Sequence, residues 1–420
     1  MMETTELFSL SFIALLVAVF VTKGWLVHRQ VRHVALHRDQ VPTPFQGVTT
    51  LPAHQKAADY AMAKARLESV DTLLQTTLLL SWTVLGGLNA LNLLLLEQIP
   101  GGGLLQQLAL LVAFGMIGTV VDLPLAWYRT FVLEQRFGFN HSTLTEWVTD
   151  GLKGLALSLA LGLPLAAAVL WLMNTAGSTW WLWSWGVYMG FSLLMMWAYP
   201  VWIAPWFNTF KPLNDDVLRR RVGDLMMRCG FEPSGFFVMD GSRRSAHSNA
   251  YFTGTGKAKR VVFYDTLLNL LSPPELDAVL AHELGHFHHQ HLRKRLVMLA
   301  ASSLGAFALL GWLSAQAWFY VGLGVEPQPF ATNGVLALLL FVLALPLAIF
   351  FLKPLLATAS RRDEFEADRF ATKHTPAKEL VNALVKLYEG NASTLTPDPW
   401  YVAFYHSHPP AAQRLARLTP

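Results

Sequence analysis

Seven long apolar runs constrain this chain more than any other feature of it. They fall at about 7–27, 72–97, 104–128, 152–173, 180–206, 296–323 and 333–356. Each is close to or above the roughly 20 residues a helix needs to cross about 30 Å of hydrocarbon. Backbone in lipid must satisfy its own N–H and C=O groups, so such runs are helices rather than open sheet. Composition agrees. Of the 420 residues 53% are hydrophobic and only 14% charged, where soluble domains carry about 25% charge. The expected fold is an all-α polytopic membrane protein with about seven transmembrane helices.

The first run follows the acidic stretch Met1-Met2-Glu3-Thr4-Thr5-Glu6, and no small-residue cleavage site closes it. It reads as an uncleaved helix rather than a signal peptide. The connections at 97–104, 174–179 and 324–334 carry no Lys or Arg. The others hold Arg29, Arg32, Arg38, Lys56, Lys64, Arg66, Arg129, Arg136, Lys153 and a dense set from Lys211 onward. Basic residues thus alternate between sides, which the positive-inside rule reads as cytosolic basic loops and a cytosolic C-terminus. The net charge of +4 is then a topology signal, and no nucleic-acid partner is expected. The single cysteine, Cys229, excludes an internal disulfide and a thiolate metal site of the finger type. The tryptophans from Trp180 to Trp206 in the fifth run read as an interfacial belt. Asp122, inside the third run, has two readings: it lines a wet cavity, or it hydrogen-bonds a neighbour.

The chemistry is concentrated in His282-Glu283-Leu284-Gly285-His286. Positions i and i+4 of a helix lie about 40° apart around the axis, one turn along. His282 and His286 can therefore aim two imidazoles at one metal ion, with Glu283 placed to act on a water beside it. Ser272-Pro273-Pro274-Glu275 offers a capping box for this helix. Gly285 weakens a helix interior by about 1 kcal/mol relative to Ala and marks a place where another backbone packs close.

A third ligand must come from elsewhere. After the last run stands Ser360-Arg361-Arg362-Asp363-Glu364-Phe365-Glu366-Ala367-Asp368. Glu364 and Asp368 share a helix face. Glu364 is the expected third ligand, and Asp368 the acceptor that fixes a ligating histidine, His282, through its second N–H. Glu366 is out of phase with both. His288, His289 and His291 are read as favouring the helix C-terminal dipole and the interface rather than a metal.

The longest polar stretch, 207–294, should hold a helix over Asp215–Cys229, a strand over Phe236–Asp240, and strands Ser248–Thr253 and Arg260–Asp265 joined by a turn at Gly254-Thr255-Gly256-Lys257-Ala258. Asn249 lies on the second strand, with His247 and Tyr251 on its face. His406-Ser407-His408-Pro409-Pro410 follows near the C-terminus. Either region can supply hydrogen bonds to an oxyanion, and an extended substrate can add as a strand beside Ser248–Thr253. The chain divides into 1–206 (helices one to five), 207–294 (a cytosolic, zincin-like catalytic segment with its β-hairpin), 295–357 (helices six and seven) and 358–420 (a C-terminal cytosolic segment).

Taken together, S-A-H-S-N-A-Y-F at 245–252, H-E-L-G-H at 282–286, S-R-R-D-E-F-E-A-D at 360–368 and S-H-P-P at 407–410 resemble the CAAX prenyl protease type I family. So does Glu134-Gln135-Arg136-Phe137-Gly138-Phe139-Asn140 after the third run. The resemblance implies a ring of seven helices around a water-filled chamber, with one zinc ion per chain at its cytosolic end. It implies His282, His286 and Glu364 as zinc ligands and Glu283 as general base. It also implies that Asn249 and His408 bind substrate and stabilise the transition state. The expected activity is a membrane zinc endopeptidase acting on membrane-associated or extended peptides, prenylated C-a-a-X tails among them. Two other readings are a quality-control protease without prenyl specificity and a channel or scaffold with a vestigial site; the complete ligand set argues against the latter. The ending Arg417-Leu418-Thr419-Pro420 lacks an endoplasmic-reticulum retention signal, which points to a bacterial inner membrane, the endoplasmic-reticulum membrane being the alternative.

Overall fold

A computed structural model describes residues 2–253, 258–328 and 333–418. Helices α1 (Met2–Leu36), α2 (Leu51–Trp82), α3 (Gly87–Gln98), α4 (Leu104–Tyr128), α5 (Leu144–Thr175) and α6 (Trp180–Ala198) form the first part of the membrane bundle. Among the described residues five helices are long and apolar enough to cross alone, and counting each of two bent pairs as one span brings the number to seven. The runs expected at 72–97 and 333–356 are these bent pairs. At the first, α2 and α3 meet at 53°, where Gly86 takes the left-handed conformation (φ 75°) that starts α3. Helices α1 and α2 extend beyond their apolar runs, so Arg29, Arg32, Lys56, Lys64 and Arg66 of the first connection stand on helix.

The spans Leu104–Phe137, Leu144–Thr175, Gly177–Phe207 and His291–Leu313 bury only 6–11% of their most apolar window, whereas the helix Gly334–Phe350 adds Leu336, Leu340 and Phe350 to the buried core. Asp122 on α4 is exposed and accepts a hydrogen bond from Gln75 Nε2 on α2 at 2.9 Å, which is the neighbour-bonding reading. One apolar core, with Leu26, Leu88, Leu110, Leu170 and Leu340 fully buried, ties together α1, α3, α4 and α5 with the later spans.

Between the bundle's two halves lies a small mixed sheet. Strands β1 (Phe210–Pro212), β2 (Glu232–Met239), β3 (Ala250–Thr253) and β4 (Ala258–Tyr264) are ordered β1-β2-β4-β3, with helix α7 (Asp216–Arg228) between β1 and β2 in sequence. The β3/β4 pair is antiparallel, Ala250 facing Phe263 and Thr253 facing Arg260. The residues 254–257 of its turn lie outside the described residues. Strand β1 and the parallel β2/β4 pairing enlarge the expected hairpin into a sheet. Strand β3 is an edge, so one row of its backbone groups is open to a further strand.

Helix α8 (Pro273–His288) follows, then α9 (His291–Leu313), α10 (Gly334–Phe350), α11 (Lys353–His374), α12 (Ala377–Gly390), α13 (Pro399–Tyr405) and α14 (Ala411–Leu418). Helices α10 and α11 meet at 68°. Pro354, in the first turn of α11, has no N–H and would clash with the carbonyl four residues back in a continuous helix. The last span therefore ends there, and α11 turns across α8. A second core, including Leu225, Val261, Phe263, Leu280, Leu284, Phe370 and Ala383, welds α7, the sheet, α8, α11 and α12 into one body.

Candidate active site

Helix α8 is fixed at both ends and along its buried side. Ser272 N–H donates to Glu275 Oε2 at 2.7 Å, closing part of the capping box, and Lys386 of α12 pairs with the same oxygen at 2.6 Å. Leu276, Leu280, Ala281 and Leu284 are buried in the second core. Gly285 sits where α11 crosses: a Cβ built there would stand 2.9 Å from Ala367 Cα and 3.2 Å from Ala367 O. Only a glycine lets the two backbones approach this closely, and the approach sets the distance between the histidines of α8 and the carboxylates of α11.

Across that crossing His282, His286 and Glu364 converge, with one ligand atom from each lying within 4.8 Å of the others. His282 Nε2 is 3.4 Å from Glu364 Oε2, and His286 Nε2 is 3.4 Å from Glu364 Oε1. Ligand atoms in a tetrahedral shell of radius about 2.0–2.2 Å are about 3.3–3.6 Å apart. Glu364 is 2% exposed, and among the described residues its Oε2 has no aligned hydrogen-bond donor, although His408 Nδ1 lies 2.7 Å away. A buried carboxylate whose two oxygens each stand 3.4 Å from an imidazole nitrogen suits a zinc-sized cation.

Electrostatics agree. The Glu364 carboxyl is driven far below the carboxylate range: burial pushes it up, but His282 and His408 against it win. Burial pushes His282 down, yet the Asp368 and Glu364 carboxylates lift it to about 9. His286 falls to about 4 through burial and the neighbouring His282. Burial raises Glu283.

Asp368 lies where spacing placed it: its Oδ1 is 2.9 Å from His282 Nδ1. Sequence reasoning missed its other partner. Arg414 of α14, itself buried, donates from Nε to Asp368 Oδ2 at 2.9 Å. It also missed Arg361, whose Nη1 donates to the carbonyls of Val402 and His406 at 3.1 and 2.9 Å, and Tyr388, whose hydroxyl reaches the Pro409 carbonyl at 3.3 Å. These two hold the segment that carries His408. Position in the S-R-R-D-E run was a signal for Arg361; nothing in the sequence pointed to Tyr388. His291 departs from its interfacial reading: it is 1% exposed and lies against His286.

Glu283, Asn249 and His408 line one groove of about 590 Å³, whose far wall is Gln30, Tyr60 and Lys64 of α1 and α2. Asn249 stands just before β3, and its carboxamide oxygen accepts from the Ala250 N–H at 2.8 Å. His247 beside it is stacked on Phe139 at 4.5 Å and bonded to Asn391 at 3.1 Å. The E-Q-R-F-G-F-N run thus braces the approach to β3.

Comparison with known proteins places this arrangement. Residues 30–209 match the model of the CAAX prenyl protease N-terminal domain with its five membrane helices, and residues 212–420 match peptidase family M48. The chain belongs to the CAAX prenyl protease 1 family of M48 peptidases. It is similar to the rice CAAX prenyl protease 1 homolog, 34% identical with 96% of this chain and 95% of the relative covered. It is similar to the budding-yeast CAAX prenyl protease 1 at 32% identity, covering 96% and 93%. The crystal structure of S. mikatae Ste24p superposes with a TM-score of 0.91 at 29% identity, over 98% of this chain and 99% of that one. This M48 chain is accordingly a multi-pass membrane endopeptidase of the zinc metallopeptidase class, its site requires a metal, and its substrates are peptides or proteins. The channel or scaffold reading falls. These relatives are plant and yeast proteins, and they lend no support to a bacterial origin.

Proposed function

We propose that one zinc ion per chain is held by His282, His286 and Glu364, and that the peptidase removes the tail of prenylated C-a-a-X-type substrates at the cytosolic face of the membrane. The observation that carries this reading is the convergence of two imidazoles and one buried carboxylate, each imidazole Nε2 lying 3.4 Å from a Glu364 oxygen. The four-part division of the chain at 206/207, 294/295 and 357/358 goes with it, and the basic loops on the catalytic side argue for the cytosol.

Zinc at these residues supplies Lewis acidity for a carbonyl oxygen and eases deprotonation of an attacking water. Asp368 accepts the Nδ1 proton of His282 and keeps Nε2 free to ligate. An extended peptide adds to the open edge of β3, so its backbone is registered before its carbonyl reaches Glu283. Glu283 takes the proton of the water and returns it to the departing amine. Burial raises its affinity for that proton, which suits a group that must hold it between the two transfers. Asn249 and His408 bind the carbonyl oxygen or the adjoining backbone from the other side of the groove. The names of the relatives, CAAX prenyl proteases, support the substrate class.

Replacing Glu283 with Gln keeps every ligand but removes the proton acceptor. Cleavage should drop by about 10²–10⁴-fold, while elemental analysis still finds one zinc per chain. Wild-type turnover in this variant would refute the role of Glu283.

A further inference from the structure

A histidine five residues beyond His286 would not meet it on a continuous helix, because five residues turn the chain through about 500°. Here the helix is not continuous. Gln290 adopts the left-handed conformation (φ 56°), which strains a non-glycine residue and gathers at functional sites. The break ends α8 and starts α9 at His291. It folds His291 back so that its Nδ1 lies 2.9 Å from His286 Nδ1. The other nitrogen, Nε2, lies 3.0 Å from Glu366 Oε2 and 3.5 Å from Asp363 Oδ1. Lys294 and Arg295 stand beyond those carboxylates at 3.9 and 3.8 Å, so a second cation there would meet two ammonium- and guanidinium-bearing neighbours.

The hydrogen placement has one consistent solution. If His286 ligates through Nε2, which faces Glu364 at 3.4 Å, its proton is on Nδ1 and must be donated. His291 Nδ1 must then accept, which leaves its own proton on Nε2, pointing at Glu366. We infer that His291 and Glu366 are positioning residues for the metal: they fix the tautomer and ring plane of His286, as Asp368 does for His282. The inference rests on the ligand set proposed above. It gives the out-of-phase Glu366 a task and explains why a polar ring is buried at 291.

The test is zinc affinity of the purified full-length protein, measured by competition with a chromophoric chelator. His286→Ala serves as the reference and should lose zinc outright. His291→Phe keeps the ring but accepts no hydrogen bond, and should bind zinc about 10–100-fold more weakly. His291→Asn places a carboxamide oxygen near the lost Nδ1 and should recover most of that loss. Glu366→Ala, at a partly exposed site, should weaken binding toward the low end of the same range. Phe and wild type binding zinc equally, or Asn binding as weakly as Phe, would overturn the acceptor role of His291. If His286→Ala itself kept wild-type affinity, the ligand set would be at fault instead.

Discussion

At the scale of single residues, Gly285 decides most. Alanine there gains about 1 kcal/mol in helix propensity. Against this stands a Cβ 2.9 Å from Ala367 Cα and 3.1 Å from Phe370 Cβ, and overpacking of this kind costs about 1–3 kcal/mol. The nearest atom is backbone, which cannot rotate aside, so the cost wins. Gly285→Ala should lower the unfolding temperature of the metal-free protein and also weaken zinc binding, because α8 and α11 must part. A variant unchanged in both would mean that the crossing does not set the site's width. Much of the site was legible at this scale. Two histidines at i and i+4, and Glu364 and Asp368 at i and i+4, name their own geometry whatever surrounds them. Arg414 and His291 were hidden for a physical reason: each reaches the site through a chain reversal that leaves no periodic trace.

Elements were legible where lipid or helical period constrained them, and obscure where a break did. Apolar length announced the spans and masked the α2/α3 bend, whose one local mark is the Gly86-Gly87 pair. Pro354 could have marked the α10/α11 bend. Strand β1 is three residues long, too short for alternation to show. The docking of α13 on α1 yields a pH prediction. Asp398, 1% exposed, caps α13 through the N–H groups of Trp400 and Tyr401 and pairs with Arg29 Nη2 at 2.9 Å. Burial pushes its carboxyl up, but Arg29 and the cap bonds outweigh that and hold it below the ordinary range. A depressed carboxyl contributes fully above its unfolded value of about 3.9 and loses that contribution as pH falls through the lower folded value. Urea unfolding should therefore show Asp398→Asn less stable than wild type at neutral pH, with the gap closing below about pH 4. A gap independent of pH would show that the cap, not the charge, matters.

Across the whole molecule, the catalytic groove is shared. Asn249, Glu283 and His408 come from the M48 part, while Gln30, Tyr60 and Lys64 come from the membrane helices. Tyr60 and Lys64 also line a second cavity of about 840 Å³ whose wall includes Met116, Val120, Leu123, Trp147 and Leu152. The second cavity thus adjoins the catalytic groove at Tyr60 and Lys64. An isoprenoid tail buries carbon there or in the adjoining bilayer, at about 0.8 kcal/mol for each CH₂ group. None of that carbon touches the reacting carbonyl, so the tail stabilises the bound and transition states alike, which lowers KM and leaves kcat unchanged. Two such groups already give about tenfold. Paired peptides that differ only in farnesylation, with products followed by mass spectrometry, should show at least about a tenfold lower KM for the prenylated one at similar kcat. Equal KM values would remove prenylation from the recognition chemistry and favour a protease of extended membrane peptides in general. A changed kcat at constant KM would put the lipid beside the scissile bond, against the Val279, Leu384 and Leu387 side of the groove.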